Sequence, residues 1–142
     1  MENSVTSTKN VAEPEVLARE IVSVLIEKKG LDVKMFDVRC ENTITDFYVN
    51  VTGRSSTQVN ALADEVTYKM GLLGRVELRV EGRSGGSWLL VDYGDVIVNV
   101  FDKASREFYN FDRHLPEKCL VDISDIVAEV DKKYEINTVK EI

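Results

Sequence analysis

Between Trp88 and Phe101 the chain reads WLLVDYGDVIVNVF. Two apolar runs, the second rich in β-branched residues, flank Tyr93-Gly94, with Asp92 and Asp95 on either side. This pattern specifies an antiparallel hairpin: the runs bury, Gly permits positive φ at the turn, and Asp bonds the local backbone. A chain committed to such a hairpin must build a sheet and cover it. By strand alternation Trp88, Leu90 and Asp92 point one way, and Leu89, Val91 and Tyr93 the other. Both faces of this strand are largely apolar. Either helices cover both faces, or one face stays partly open as an interaction patch.

The flanking sequence supplies the partners. Pro14 opens a helix at a position where its missing N–H costs little, and Leu17, Ile21, Val24 and Leu25 share one face before Gly30. Residues 32–38 and 46–52 read as strands, with a turn at Asn42-Thr43. Ser55 and Gln58 make a capping-box pattern ahead of Val59, Leu62, Ala63, Val66, Met70 and Leu73, and Gly71 and Gly74 end that helix. Strands follow at 76–80, 87–92 and 95–101. Asp102 caps a short helix carrying Ala104 and Phe108, and Asp122 a final one carrying Ile123, Ile126, Val127, Val130 and Tyr134. The order α-β-β-α-β-β-β-α, with an added C-terminal helix, predicts an α/β (α+β) fold. It is a single mixed sheet of about five strands with helices packed on it. At 142 residues this is one domain. Residues 1–12 read as a loose, disordered tail, 13–115 as the domain, and 116–142 as an extension with a helix near 122–134.

Composition narrows the function. The chain carries 25 acidic and 18 basic residues, a formal charge of -7, which disfavours sequence-specific nucleic-acid binding and favours a basic partner. Its two cysteines, Cys40 and Cys119, form no CxxC, which argues against a disulfide framework and for a reducing, cytoplasmic setting. No apolar run approaches the roughly 20 residues of a membrane helix, so no membrane partner is expected. MENSVTSTKN lacks a hydrophobic signal core.

Each candidate chemistry has a plainer explanation. The loop GRSGGS, Gly82 to Ser87, resembles a phosphate cradle, but a strand follows it and no helix dipole is at hand. Gly53-Arg54-Ser55-Ser56 stands between strand and helix, yet its serines serve as caps. Asp46, Asp92 and Asp95 could hold Mg²⁺ for nucleotidyl transfer. That chemistry also wants a Gly-Ser element followed by a D-x-D pair, and Asp92 and Asp95 have turn spacing. His114 is the sole histidine, in a charged segment suited to the surface, and zinc has no ligand set here. Phe47, Tyr48, Phe108, Tyr109 and Phe111 lack the basic surround of base-stacking aromatics, so core packing is expected for most of them. Trp88 is the sole tryptophan, of a residue type that often anchors protein interfaces.

Three blocks carry a resemblance. TDFYVNVTGRSSTQVNALADEV (45–66) resembles the motif D-Y-F-V-I-x-x-G-x-S-x-x-Q of the ribosomal silencing factor family, also called RsfS or Iojap. WLLVDYGDVIVNVF resembles its W-x-x-x-D-Y-G-D-V-V-V-H-x-F, and REFYNFDR (106–113) its R-x-F-Y-x-L-E. The resemblance covers about residues 14–113. It implies a nucleotidyltransferase-like fold without catalytic residues, no cofactor, and no enzymatic activity. It implies docking on the fourteenth protein of the large ribosomal subunit, obstruction of small-subunit joining and repression of translation; organelle members take part in large-subunit assembly. The docking residues carried over are Trp88, Asp92, Tyr93, Gly94 and Asp95, and strand alternation adds Leu90. The expected setting is the bacterial cytoplasm, with an organelle the weaker alternative. A homodimer using the same strand and a Mg²⁺-dependent nucleotidyltransferase remain as alternatives. The sequence departs from the family motifs at Asn99, where the family often has His, and at Phe111 to Pro116, which replace the family's terminal L-E-x-L-W. The C-terminal helix could cover a sheet face, dimerise or extend the docking surface.

Overall fold

The computed structural model describes residues 10–41, 44–82 and 85–141. The turn expected at Asn42-Thr43, residues 1–9 of the expected tail, and Arg83-Ser84 of the glycine loop lie outside the described residues. Helix α1 (Pro14–Glu27) leads into β1 (Leu31–Asp37) and β2 (Phe47–Gly53). Helix α2 (Ser56–Leu72) then precedes β3 (Arg79–Glu81), β4 (Trp88–Asp92) and β5 (Val96–Asp102). Helix α3 (Lys103–Tyr109), 3-10 turns at Phe111–His114 and Glu117–Cys119, β6 (Leu120–Val121) and α4 (Ser124–Glu141) complete the chain.

The strands form one sheet in the order β3-β4-β5-β2-β1-β6. Only β2 and β5 are parallel neighbours. A parallel pair needs a crossover, and α2 with the β3–β4 hairpin supplies it. Helices α1 and α2 cover one face. Leu17, Ile21 and Leu25 from α1 and Val59, Leu62 and Val66 from α2 pack in one core with Val49, Val51, Leu89, Val91, Val98 and Val100. None of these is more than 1% exposed. Helix α4 lies outside this layer against α1. It inserts Ile126 and Val130 into the same core, and is held by Arg19–Asp125 and Glu27–Lys133 ion pairs.

Local chemistry explains the helix ends. Ser55 Oγ accepts the Gln58 N–H, while Gln58 Oε1 accepts the Arg54 N–H at 2.6 Å. The capping box forms, its return bond falling one residue ahead of the cap. Asp102 Oδ1 accepts the Ser105 N–H at 2.8 Å, as the sequence suggests. Gly71 lies inside α2, and Gly74, at φ 96°, follows its end.

Two elements differ from expectation. β6 was not anticipated: its two residues hold no periodicity to read. β3 begins at Arg79, beyond Val76 and Leu78, which are 72% and 71% exposed, so their apolar character does not report strand burial. Val11, assigned to the loose tail by its polar neighbours, is 4% exposed in the core, and its carbonyl accepts from Arg75 Nη1 at 2.6 Å.

Candidate docking face

The hairpin turn is built as its residues dictate. Asp92 Oδ1 accepts the Gly94 N–H at 2.7 Å, the Tyr93 N–H donates to Val96 O at 2.9 Å, and Gly94 takes φ 90°. A side chain at Gly94 would be strained there and would crowd Leu78 Cδ1 at 3.2 Å. Both turn carboxylates meet arginines. Arg79 Nε donates to Asp92 Oδ2 at 3.1 Å, and Arg75 Nη2 to Asp95 Oδ1 at 2.5 Å. Asp92 is buried, and Gly94 and Asp95 are half-buried at the end of the sheet.

Tyr93 falls on the helix-covered side and is 4% exposed. Burial pushes its phenol well above the ordinary tyrosine range, with Glu77 adding to the effect. Its hydroxyl has no hydrogen-bond partner among the described residues.

Trp88 and Leu90 sit on the opposite face and are half-buried. With Glu81 and Gly82 they line a shallow depression of about 330 Å³. Register places Trp88 beside Phe101 and Leu90 beside Asn99, which pairs in turn with Asn50 and then Lys34. This face is covered only in part, by α3 and the turn after it. The Trp88 ring lies 4.9 Å from Phe101, 4.9 Å from Tyr109 and 6.1 Å from Phe111. Phe111 meets Tyr48 edge-on at 5.1 Å, a favourable aromatic geometry.

A polar chain runs beneath these rings. Trp88 Nε1 donates to Asn99 Oδ1 at 3.0 Å, Asn99 Nδ2 to Asn50 Oδ1 at 3.0 Å, and Asn50 Nδ2 to Asp112 Oδ1 at 2.6 Å. Arg106 closes on Asp112 Oδ2 at 2.8 Å, and its Nη1 reaches Thr52 Oγ1 and Asp32 O. Sequence reasoning missed Asn50, Asn99, Arg106 and Asp112. A signal existed: asparagine is depleted from strands, yet one sits mid-strand in each of FYVNVTG and VIVNVFD.

The other candidates separate. Asp46 approaches the turn through its backbone N–H, which donates to Asp95 O at 3.0 Å. No group of three or more His, Cys, Asp and Glu side chains suited to a metal occurs among the described residues. His114 is exposed. Of the aromatics expected mostly in the core, only Phe47 is buried; Tyr48 and Phe111 are half-buried, and Phe108 and Tyr109 are 81% and 49% exposed. Arg106 takes the inward-facing side of their short helix, which turns Phe108 outward. No helix among the described residues is long and apolar enough to cross a membrane.

Comparison with known proteins gives a consistent family. A family model described as "Ribosomal silencing factor during starvation" matches residues 11–141. The match therefore runs through α4, beyond the three motifs. The ribosomal silencing factor RsfS of Haemophilus influenzae is 34% identical over 97 residues, covering 68% of this chain and 95% of that protein. The chloroplastic protein Iojap of Arabidopsis thaliana is 29% identical over 105 residues, 71% of this chain and 42% of that one. A crystal structure of a Chromobacterium violaceum protein superposes with a TM-score of 0.64 at 33% identity, over 73% of this chain and 84% of that one.

Proposed function

The chain belongs to the ribosomal silencing factor family, and from that premise we propose that it docks on the fourteenth protein of the large ribosomal subunit and blocks joining of the small subunit, repressing translation. The observation that carries this reading is the family match over residues 11–141. The geometry is compatible with it. Trp88 and Leu90 offer an aromatic and an aliphatic contact beside a shallow depression, and one face of an otherwise covered sheet remains within reach.

The six carried-over residues divide by role. Trp88 and Leu90 touch the partner. Gly94 and Asp95 present the turn at the sheet's end. Asp92 and Tyr93 hold that turn from inside. The net charge of -7 favours a basic partner and speeds encounter with it. The mechanism is occupancy: no bond is made or broken and no cofactor is called for. Nucleotidyl transfer would need carboxylates free for Mg²⁺, and Asp92 and Asp95 are each engaged by an arginine. The proposed setting is the bacterial cytoplasm.

Sedimentation tests the reading. Purified large subunits pre-incubated with the protein should carry it through a sucrose gradient and form fewer joined ribosomes when small subunits are added. Protein left at the top of the gradient, or undiminished joining, would reject it.

A further inference from the structure

The polar chain of the second face has a fixed sense. An indole only donates and a carboxylate only accepts, so with Trp88 Nε1 at one end and Asp112 at the other, both amides are oriented by chemistry. Asn99 must turn its oxygen to Trp88 and its nitrogen to Asn50. Asn50 must turn its oxygen to Asn99 and its nitrogen to Asp112. Flipping either amide breaks two bonds at once. Both residues are at most 1% exposed, at the centre of the sheet, where their strand neighbours Val49, Val51, Val98 and Val100 face the apolar core on the other side. Buried amides are costly unless every group is paired, and aliphatic residues would fill the same space without that demand.

The chain joins two motifs distant in sequence. Trp88 belongs to the hairpin; Arg106 and Asp112 belong to REFYNFDR. Ring contacts with Phe101, Tyr109 and Phe111 restrict the indole, but only its N–H bond selects one edge. We propose that Asn99 and Asn50 are positioning residues that lock the orientation of Trp88 to the Arg106–Asp112 clamp and so fix the shape of the docking face. This rests on the reading that the Trp88 face docks.

The test uses Asn50→Asp and Asn99→Asp, which preserve size. At neutral pH the Asn50→Asp carboxylate cannot donate to Asp112. Once protonated its hydroxyl can donate there while its carbonyl accepts from Asn99, so acid restores the chain. The charged groups facing this position are Asp112 and Arg106, with Lys34 4.0 Å from Asp112 and Asp32 3.7 Å from Arg106. Trp88 is the only tryptophan, so its indole N–H gives one resonance in a ¹⁵N-correlated spectrum. The expected results are a displaced indole resonance in both variants at neutral pH and docking to large subunits at least roughly tenfold weaker. On acidification the resonance should return toward the wild-type position in both variants, because a protonated carboxyl at position 99 can likewise accept from Trp88 and donate to Asn50, with no such titration in wild type. A purely structural loss would not recover on protonation. An unmoved resonance in both variants, or a displaced one with unchanged docking, overturns the proposal. Should both variants fail to fold, wild-type indole exchange decides: slow exchange with solvent supports the tie, and exchange as fast as a free indole rejects it. If wild type itself does not sediment with large subunits, the docking reading falls with this role, while the resonance still reports whether the chain exists.

Discussion

The two faces of β4 and β5 share a backbone and almost nothing else. One is aliphatic: Leu89, Val91, Val98 and Val100 are fully buried beneath the long helices α1 and α2. The other alternates with it residue by residue and carries Trp88, Leu90, Asn99 and Phe101, covered in part by the short helix α3 and a 3-10 turn. Aliphatic packing is non-directional, so the first face sets stability and constrains the orientation of no single group. The second face bonds its amides and indole in one direction, and spends buried polar groups to do so. On the proposed reading, that difference separates the core from the docking face.

Substitutions should separate the faces. Leu89→Ala leaves a cavity under the helices and should lower unfolding free energy by about 3 kcal/mol in urea titrations, while the folded fraction still docks normally. Docking lost in proportion to more than unfolding would blur the distinction. Trp88→Ala should weaken docking by about 2 kcal/mol or more, measured by titration against purified large subunits. It should also reduce stability, because the ring packs on Phe101 and its N–H serves Asn99. Full retention of affinity would remove Trp88 from the contact surface. The smallest effect belongs to Tyr93→Phe. The buried hydroxyl has no partner among the described residues, so its loss should change stability by no more than about 1 kcal/mol near neutrality. Since the folded-state phenol titrates above the unfolded one, its stabilisation is present below the unfolded value of 10.0 and falls as pH rises beyond it. Tyr93→Phe should flatten that alkaline loss in denaturation curves; an identical alkaline slope would contradict the burial argument.

The helix face was readable because it obeys a period. Leu17, Ile21 and Leu25, then Val59, Leu62 and Val66, repeat at helical spacing, and Ser55 and Asp102 declare the caps. The hairpin was readable because Asp-Tyr-Gly-Asp has one ready conformation. The second face was less legible. Asn50 and Asn99 are 49 residues apart in sequence, and only the parallel register of β2 with β5 makes them neighbours. Arg106 stands on a short helix, where a charged side chain ordinarily faces solvent, yet it is 8% exposed and binds a carboxylate six residues ahead. Asp92 and Asp95 were legible as turn residues, but not their engagement by Arg79 and Arg75, from the segment between α2 and β4. Turn spacing named the carboxylates but held no information about their cations.

A photo-reactive amino acid placed at Leu90, and separately at Ala61 on the exposed side of α2, would ask directly which face meets the ribosome. The account predicts a crosslink from position 90 to the fourteenth protein of the large subunit and none from position 61. Crosslinking from position 61 alone, or from neither position under conditions where the protein sediments with large subunits, would contradict it.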